Sequence, residues 1–346
     1  MSVPLLFTPD EFLEDFLKEA ARAKKSIYLQ SMNFEAGDAL TRIEEVLTPA
    51  LERGVRVNIT IDWVSRLFIH GQLPLLPGRP SKRAYRDRHV RESEALRDRL
   101  EAMGATFVTT NKPSFFNRPL PMIRRNHIKL YMVDEAIAWM GGVNLFDDAF
   151  KKIDLMVRFE DEEIVHALHQ QFFMVNRLRS VADYSKKLGE DYTLYVDTGR
   201  LEQSIIYRQA IKRVSESSLS ITFMSQFIPD GPLLKELIAA SKRGVKIEVL
   251  TSRRNNVIFT KYPTKAVYDL FKFKIKNYPL IKLVHLSRDV HAKLLIIDEK
   301  IALFGSHNYT YSGVLFGTEE IMMETRSDVA LKQFFTFLSD SKNREN

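Results

Sequence analysis

The chain has 346 residues, a formal net charge of +7 and no cysteine. This length allows two substantial cores, the missing thiols exclude a disulfide scaffold, and no run of eighteen apolar residues is present to span a bilayer as a helix. The positive balance points to anionic partners, either nucleic acid or acidic lipid. The opening MSVPLLFTPDEF lacks the basic leader of a secretory signal, so a protein that is cytoplasmic, or peripheral on the cytoplasmic membrane, is expected.

Behind Thr8-Pro9-Asp10, the residues Phe12, Leu13, Phe16, Leu17 and Ala20 recur at helical spacing and predict a helix over Asp10 to Lys24. Ser26 to Phe34 reads as a strand, Ala39 to Arg53 as a helix stopped by Gly54, and Val55 to Asp62 as a second strand. This alternation predicts an α/β fold with a largely parallel sheet. Trp63 to Arg91 then interrupts the series. It carries Pro74, Pro77 and Pro80, an apolar set including Trp63, Phe68 and Leu75, and a basic run from Arg79 to Arg91. Pro113 to Arg125 repeats the combination with Phe115, Phe116 and Met122. Apolar residues beside cations suit contact with an anionic membrane; they suit a core closed under a long lid equally well. Asp161 to Arg179 is expected to be a helix, with His166 and His169 structural beside Phe172 and Phe173.

The series returns after residue 190. Leu201 to Val214 reads as a helix, Ser218 to Phe227 as a strand, Pro232 to Arg243 as a helix and Val245 to Thr251 as a strand. LERGVRVNITID, ending at Asp62, aligns with SKRGVKIEVLTS, ending at Ser252, so the duplication covers whole domains. The expected division is residues 1–185 and 190–346, with the insertion at about 63–91 in the first. Val257 to Leu283 mixes Tyr268, Phe271 and Phe273 with Lys272, Lys274 and Lys276. Three readings stand for it: base stacking, contact with a lipid surface, or an amphipathic helix with a solvated basic face. Ser327 to Ser339 is expected to pack as a final helix.

One pattern is written twice. NHIKLYMVDEAIAWMGGVN runs from Asn126 to Asn144 and VHAKLLIIDEKIALFGSHN from Val290 to Asn308, at a constant offset of 164 (291 − 127 and 308 − 144). Side chains two apart on a strand share a face, so His127 points with Lys129 and His291 with Lys293. Asp134 and Asp298 fall at an odd spacing and are expected to be structural. Gly141-Gly142 and Gly305-Ser306 are small enough for close backbone approach to whatever lies between the copies. Two His, two Lys and two Asn form a cationic donor set suited to phosphate. An ammonium beside each imidazole disfavours a divalent metal, and no further His or carboxylate stands at ligand spacing; no metal or cofactor is expected.

The duplicated H-x-K-x(4)-D-x(6)-G-[GS]-x-N pattern resembles the phospholipase D superfamily over nearly the whole chain. The spacing of RRNHIK, GGVN and the RGV strands looks most like its bacterial cardiolipin synthase branch. The resemblance implies two similar αβα-sandwich domains packed as a pseudo-dimer with one shared active site. It implies His127 as the nucleophile, through a phosphohistidine, and His291 as acid and base. Lys129, Lys293, Asn144, Asn308 and Ser306 would hold the phosphate. A carboxylate about a dozen residues beyond each motif Asn would orient an imidazole: Glu319 fits the second half and Asp154 the first.

The activity so implied is phosphatidyl transfer from a phospholipid to an alcohol or to water, with no obligate protein partner. One stretch departs from the branch. Its members usually follow the second motif Asn with Leu-Asp-x-Arg-Ser, whereas here Tyr309-Thr310-Tyr311-Ser312-Gly313 follows. That ending is closer to the nuclease members, so cleavage of DNA or RNA stands as the alternative. His307, beside Asn308, is expected to line the site.

Overall fold

The computed structural model describes residues 3–67, 80–112, 123–174, 181–252 and 261–343. The chain forms two compact units: Met1–Lys151 with Leu155–Arg177, and Lys152–Asp154 with Leu178–Asn346.

In the first unit the elements are β1 (Leu5–Phe7), α1 (Pro9–Ala21), β2 (Ser26–Ser31), α2 (Asp38–Glu52), β3 (Arg56–Asp62), a short 3-10 turn (Trp63–Leu67), α3 (Pro80–Ala102), β4 (Thr106–Thr110), β5 (Leu130–Val133), β6 (Ile137–Gly141), α4 (Asp147–Phe150), β7 (Met156–Phe159) and α5 (Glu162–Met174). The described strands make one seven-stranded sheet in the order β1-β7-β6-β5-β2-β3-β4. Side chains alternate across it. Ile27 and Leu29 join the core under α1 and α2, with Phe12, Phe16 and Leu47, while Tyr28 between them turns to the other face and meets Phe172 and Phe173 of α5. The unit is therefore an αβα sandwich. α1 starts where Pro9 follows Thr8 and the Thr8 amide donates to Glu11 Oε2 at 2.8 Å, which satisfies one otherwise orphaned N–H.

The second unit holds β8 (Tyr184–Leu188), β9 (Tyr192–Thr198), α6 (Ile205–Glu216), β10 (Ser220–Met224), α7 (Gly231–Lys242), β11 (Lys246–Ser252), α8 (Lys261–Ile275), β12 (Ile281–Leu286), β13 (Leu294–Ile297), β14 (Ile301–Gly305), α9 (Tyr311–Phe316), β15 (Glu319–Thr325) and α10 (Asp328–Asn343). Its eight described strands run β12-β11-β10-β13-β14-β15-β9-β8. Strand for strand this is the order of the first sheet, with β8 added at the edge. β8 lies across the domain boundary expected from the sequence and belongs to the second sheet. Ile206, Leu237 and Phe271 cover one face, and Phe334 of α10 meets Phe304 on the other.

The expectation of a largely parallel sheet is corrected. Only β2-β3, β3-β4, β10-β11 and β11-β12 are parallel; every other named pair is antiparallel. The parallel part is what the helix-strand alternation built. The antiparallel part comes from the motif, because β5-β6 and β13-β14 are hairpins whose Asp-Glu turns return the chain directly beside itself.

Candidate active site

The two motif turns are built alike. Asp134, Glu135, Asp298 and Glu299 all have positive φ, between 51° and 58°, which L residues adopt at a cost. What offsets the cost is a cage of amides. Asp134 accepts from the N–H groups of Lys24, Lys25 and Ser26 at 2.7–3.0 Å, and Asp298 from those of Ser218, Leu219 and Ser220 at 2.7–3.2 Å. These bonds hold both carboxyls below the usual Asp range, against the opposing effect of partial burial. Each Asp thus ties its hairpin to the start of β2 or β10.

Small residues end each hairpin for a reason other than the one expected. A Cβ on Gly141 would lie 2.1 Å from the Leu155 carbonyl oxygen, and one on Gly305 2.3 Å from that of Ile321. The close neighbour is the backbone of the adjacent strand in the same sheet.

Around the second motif histidine the donor set is explicit. Lys293 is fully buried and its Nζ lies 2.9 Å from His291 Nδ1, so the two side chains converge as the strand spacing requires. Asp154 Oδ2 lies 2.6 Å from the same Nδ1. A single ring nitrogen cannot serve both partners, and the short carboxylate contact assigns Nδ1–H as donor to Asp154. Lys293 then donates to the His291 carbonyl, and Nε2 carries the free lone pair. Burial, then the Lys293 charge, hold His291 well below the ordinary His range, with Asp154 opposing. Burial likewise lowers Lys293 to about 8, although Asp154 and Glu320 favour its charge.

Asp154 had been matched to the first half by its distance from Asn144, yet it holds the histidine of the second copy. The reason is local. The three residues Lys152–Asp154 group with the second unit, where the Ile153 carbonyl accepts from the His291 and Ala292 amides at 2.8 and 3.0 Å and the Ile153 amide donates to Asp289. Sheet register locates the counterpart of Asp154 in the second sheet. Gly141 pairs with Met156 and Gly305 with Met322, so the residue standing where Asp154 stands is Glu320. Glu319, expected from spacing to orient an imidazole, is its neighbour on β15 and is buried. Glu320 Oε2 accepts from Ser306 Oγ at 2.5 Å, and the Ile321 amide donates to the same hydroxyl. Ser306, expected to contact phosphate, spends its hydroxyl within the sheet.

The first motif histidine, His127, is half-buried on the segment entering β5. Fully buried Lys129 donates from Nζ to the His127 carbonyl at 2.5 Å. Asn144 Oδ1 accepts from Ser31 Oγ at 3.3 Å, which leaves its Nδ2 hydrogens to point elsewhere. Asn308 Oδ1 is buried with no hydrogen-bond partner among the described residues. Four residues that sequence spacing did not single out are bonded together at the backbone on either side of His127: Asp62, Arg125, Asn126 and Gln30. The polar end of an otherwise apolar strand, VNITID, was the available signal for Asp62.

His307 is buried, and its Nδ1 accepts from the Tyr309 amide at 2.9 Å, so it braces the turn after the motif. His169 packs edge-on to Tyr28 and Phe173, as a structural residue would. In the Val257 to Leu283 stretch, Tyr268 and Phe271 enter the core while Phe273 is exposed beneath Lys276, which fits an amphipathic helix. The apolar centres of both first-half loops, 68–79 and 113–122, lie outside the described residues. No helix among the described residues is long and apolar enough to cross a membrane.

A family model described as "Cardiolipin synthase, PLD-like domain" matches residues 16–175 and 208–339. Cardiolipin synthase A of Yersinia pseudotuberculosis and that of Yersinia pestis are each 21% identical over 326 residues, covering 88% of this chain and 62% of their own length. The chain therefore spans less than two thirds of those relatives. Among solved structures, phosphatidylserine synthase of Haemophilus influenzae matches with a TM-score of 0.73 at 12% identity, over 99% of this chain and 85% of that one. Polyphosphate kinase of Porphyromonas gingivalis matches at 0.61 and 14% identity, over 98% of this chain and 50% of that one. At such identities the structural matches speak for the fold.

Proposed function

The chain belongs to the family of cardiolipin synthase, phospholipase D-like domains, and from that premise we propose that it is a phosphatidyltransferase or phospholipase acting through a phosphohistidine. His127 Nε2 attacks phosphorus while His291 gives its proton to the departing alcohol, leaving a covalent phosphatidyl-histidine. His291 then takes a proton from the acceptor, water or a second alcohol, whose oxygen displaces His127. Lys129, Lys293, Asn144 and Asn308 donate to the non-bridging oxygens as charge builds. Asp154 fixes the His291 tautomer, and Glu320 is the carboxylate at the matching position of the second sheet. An arriving phosphate anion raises the depressed His291 pKa and so supplies the acid the first step needs.

The observation that carries this reading is the Asp154-His291-Lys293 cluster, a neutral imidazole oriented by a carboxylate and flanked by a buried cation. It is built for proton transfer beside an anion. The test is incubation with phosphatidylglycerol vesicles, with and without a primary alcohol, followed by product analysis. Phosphatidyl-alcohol or phosphatidic acid is the expected product. Inertness toward lipid, with cleavage of DNA or RNA at low salt, would move the chain to the nuclease reading, which the Tyr309 to Gly313 ending and the net charge favour.

A further inference from the structure

We propose that Asp62 is the positioning residue for His127, acting through Arg125 and the Asn126 backbone. Asp62 ends β3 with no exposed surface, and its two oxygens accept from five residues. Oδ1 takes the Val64 amide and Arg125 Nη1, both at 2.9 Å. Oδ2 takes the Asn126 amide and Asn111 Nδ2, both at 2.8 Å, with Thr110 Oγ1 at 3.3 Å. Arg125 is itself buried, its Nε donates to the Ile123 carbonyl and its Nη2 to those of Ile123 and Asn111.

The residue gripped by the Asp62 carboxylate, Asn126, immediately precedes the imidazole. Its side chain closes the other side, since Asn126 Oδ1 accepts from the Ile128 amide at 3.2 Å and from Gln30 Nε2 at 3.1 Å. His127 is thereby bracketed on the chain: N-terminally by Asp62, C-terminally by the Asn126 side chain, and at its own carbonyl by Lys129.

Two features separate this from ordinary core satisfaction. The path into His127 passes through Arg124 with φ of 57°, and Asn111, also held by Asp62, has φ of 54°. Left-handed non-glycine residues persist only where their surroundings enforce them. The second copy also lacks the device. Ser252 stands at the Asp62 position, Asp289 at Arg125 and Val290 at Asn126, and the Ile153 carbonyl holds the His291 amide instead. The clamp belongs to the first histidine alone, the one assigned the covalent role, for which aim at phosphorus is the demand.

This inference rests on the proposed role of His127, so the experiment carries one readout that needs turnover and one that does not. Full-length Asp62→Asn and the charge-neutral double variant Asp62→Asn with Arg125→Gln are checked for folding by thermal unfolding; the double variant avoids stranding a buried guanidinium. With bis(p-nitrophenyl) phosphate, rapid mixing reads the first nitrophenolate release. With enzyme in excess, a mis-aimed nucleophile lowers the single-turnover rate constant by about 100-fold, with the total amplitude and the half-saturating enzyme concentration within twofold of wild type. A rate constant within twofold of wild type, or a loss confined to amplitude as partial unfolding gives, overturns the inference. If wild type turns over no phosphodiester, the functional reading fails and the decision passes to the ring nitrogens of His127 in protein labelled with nitrogen-15 histidine. One tautomer in wild type, replaced by a mixture in the folded variant, supports the clamp; unchanged ring signals overturn it.

Discussion

The two halves agree where the hairpin must form and differ in what holds each histidine. Asp134 and Asp298 sit in matching amide cages, and Gly141 and Gly305 meet matching carbonyls. Around the imidazoles the supports are unrelated: an Asp62-Arg125 clamp from within the first sheet, a three-residue segment Lys152–Asp154 for the second. Even a shared ion pair has changed sign. In the first unit Arg158 on β7 bonds Asp15 on α1, whereas in the second Glu324 on β15 bonds Arg213 on α6. Backbone geometry was kept because every turn of the motif depends on it; the charges that steady it had many solutions.

The largest test of the comparison removes each imidazole in turn. His127→Ala is expected to abolish turnover, while His291→Ala permits slow accumulation of phosphorylated enzyme, read by mass spectrometry of the labelled peptides. Phosphate on any residue other than His127 would reverse the assignment. Next come the carboxylates. Asp154→Asn is expected to cost about 100-fold or more in kcat, the usual scale for a lost proton-transfer partner, and Glu320→Gln a comparable amount. A Glu320 variant with wild-type kcat would confine that residue to bracing Ser306.

The cages offer a smaller and symmetric effect. Asp134→Ala and Asp298→Ala each forfeit three bonds to a charged group, some open to water, and should each lower unfolding free energy by about 2 kcal/mol. Because the two lie in separate units, the double variant should be additive; a deficit from additivity in denaturant titrations would mean the hairpins are coupled.

The gentlest perturbation is pH. As pH rises through about 8, Lys293 loses its proton, so kcat/KM should fall by about tenfold per unit beyond it. Stability moves the other way. Between about 8 and the ordinary lysine value of 10.5 the unfolded chain binds more protons at this group than the folded one, so its contribution to unfolding free energy rises with pH. A Lys293→Met variant should flatten both slopes, seen in parallel rate and melting profiles.

Much of this was legible beforehand. The duplication is legible in the repeated spacing, and His291 does lie beside Lys293; strand alternation gave Asp134 and Asp298 a structural reading for another reason than the one found, since they sit in left-handed turns beyond β5 and β13 and act through amide cages. What spacing could not give was anything that depends on partners across a sheet. Counting along the loop after Asn308 points to Glu319, whereas hydrogen-bond register decides which carboxylate matches Asp154; the loops into β7 and β15 differ in length by two residues, so that match is Glu320. Asp62 and Arg125 lie 63 positions apart in the chain, and neither carries a periodic signal. The mixed sheet was missed because helix-strand alternation describes only the strands that helices connect.

The traded segment has a consequence for heredity. His291 takes its proton acceptor and its backbone anchor from Asp154 and Ile153, which are encoded upstream of the boundary at Arg177. Recombination that swapped the downstream copy for a foreign one would deliver an imidazole fitted to someone else's Ile-Asp pair. The doubling has become one-way, since the downstream repeat cannot be inherited alone without leaving part of its chemistry behind in the upstream one.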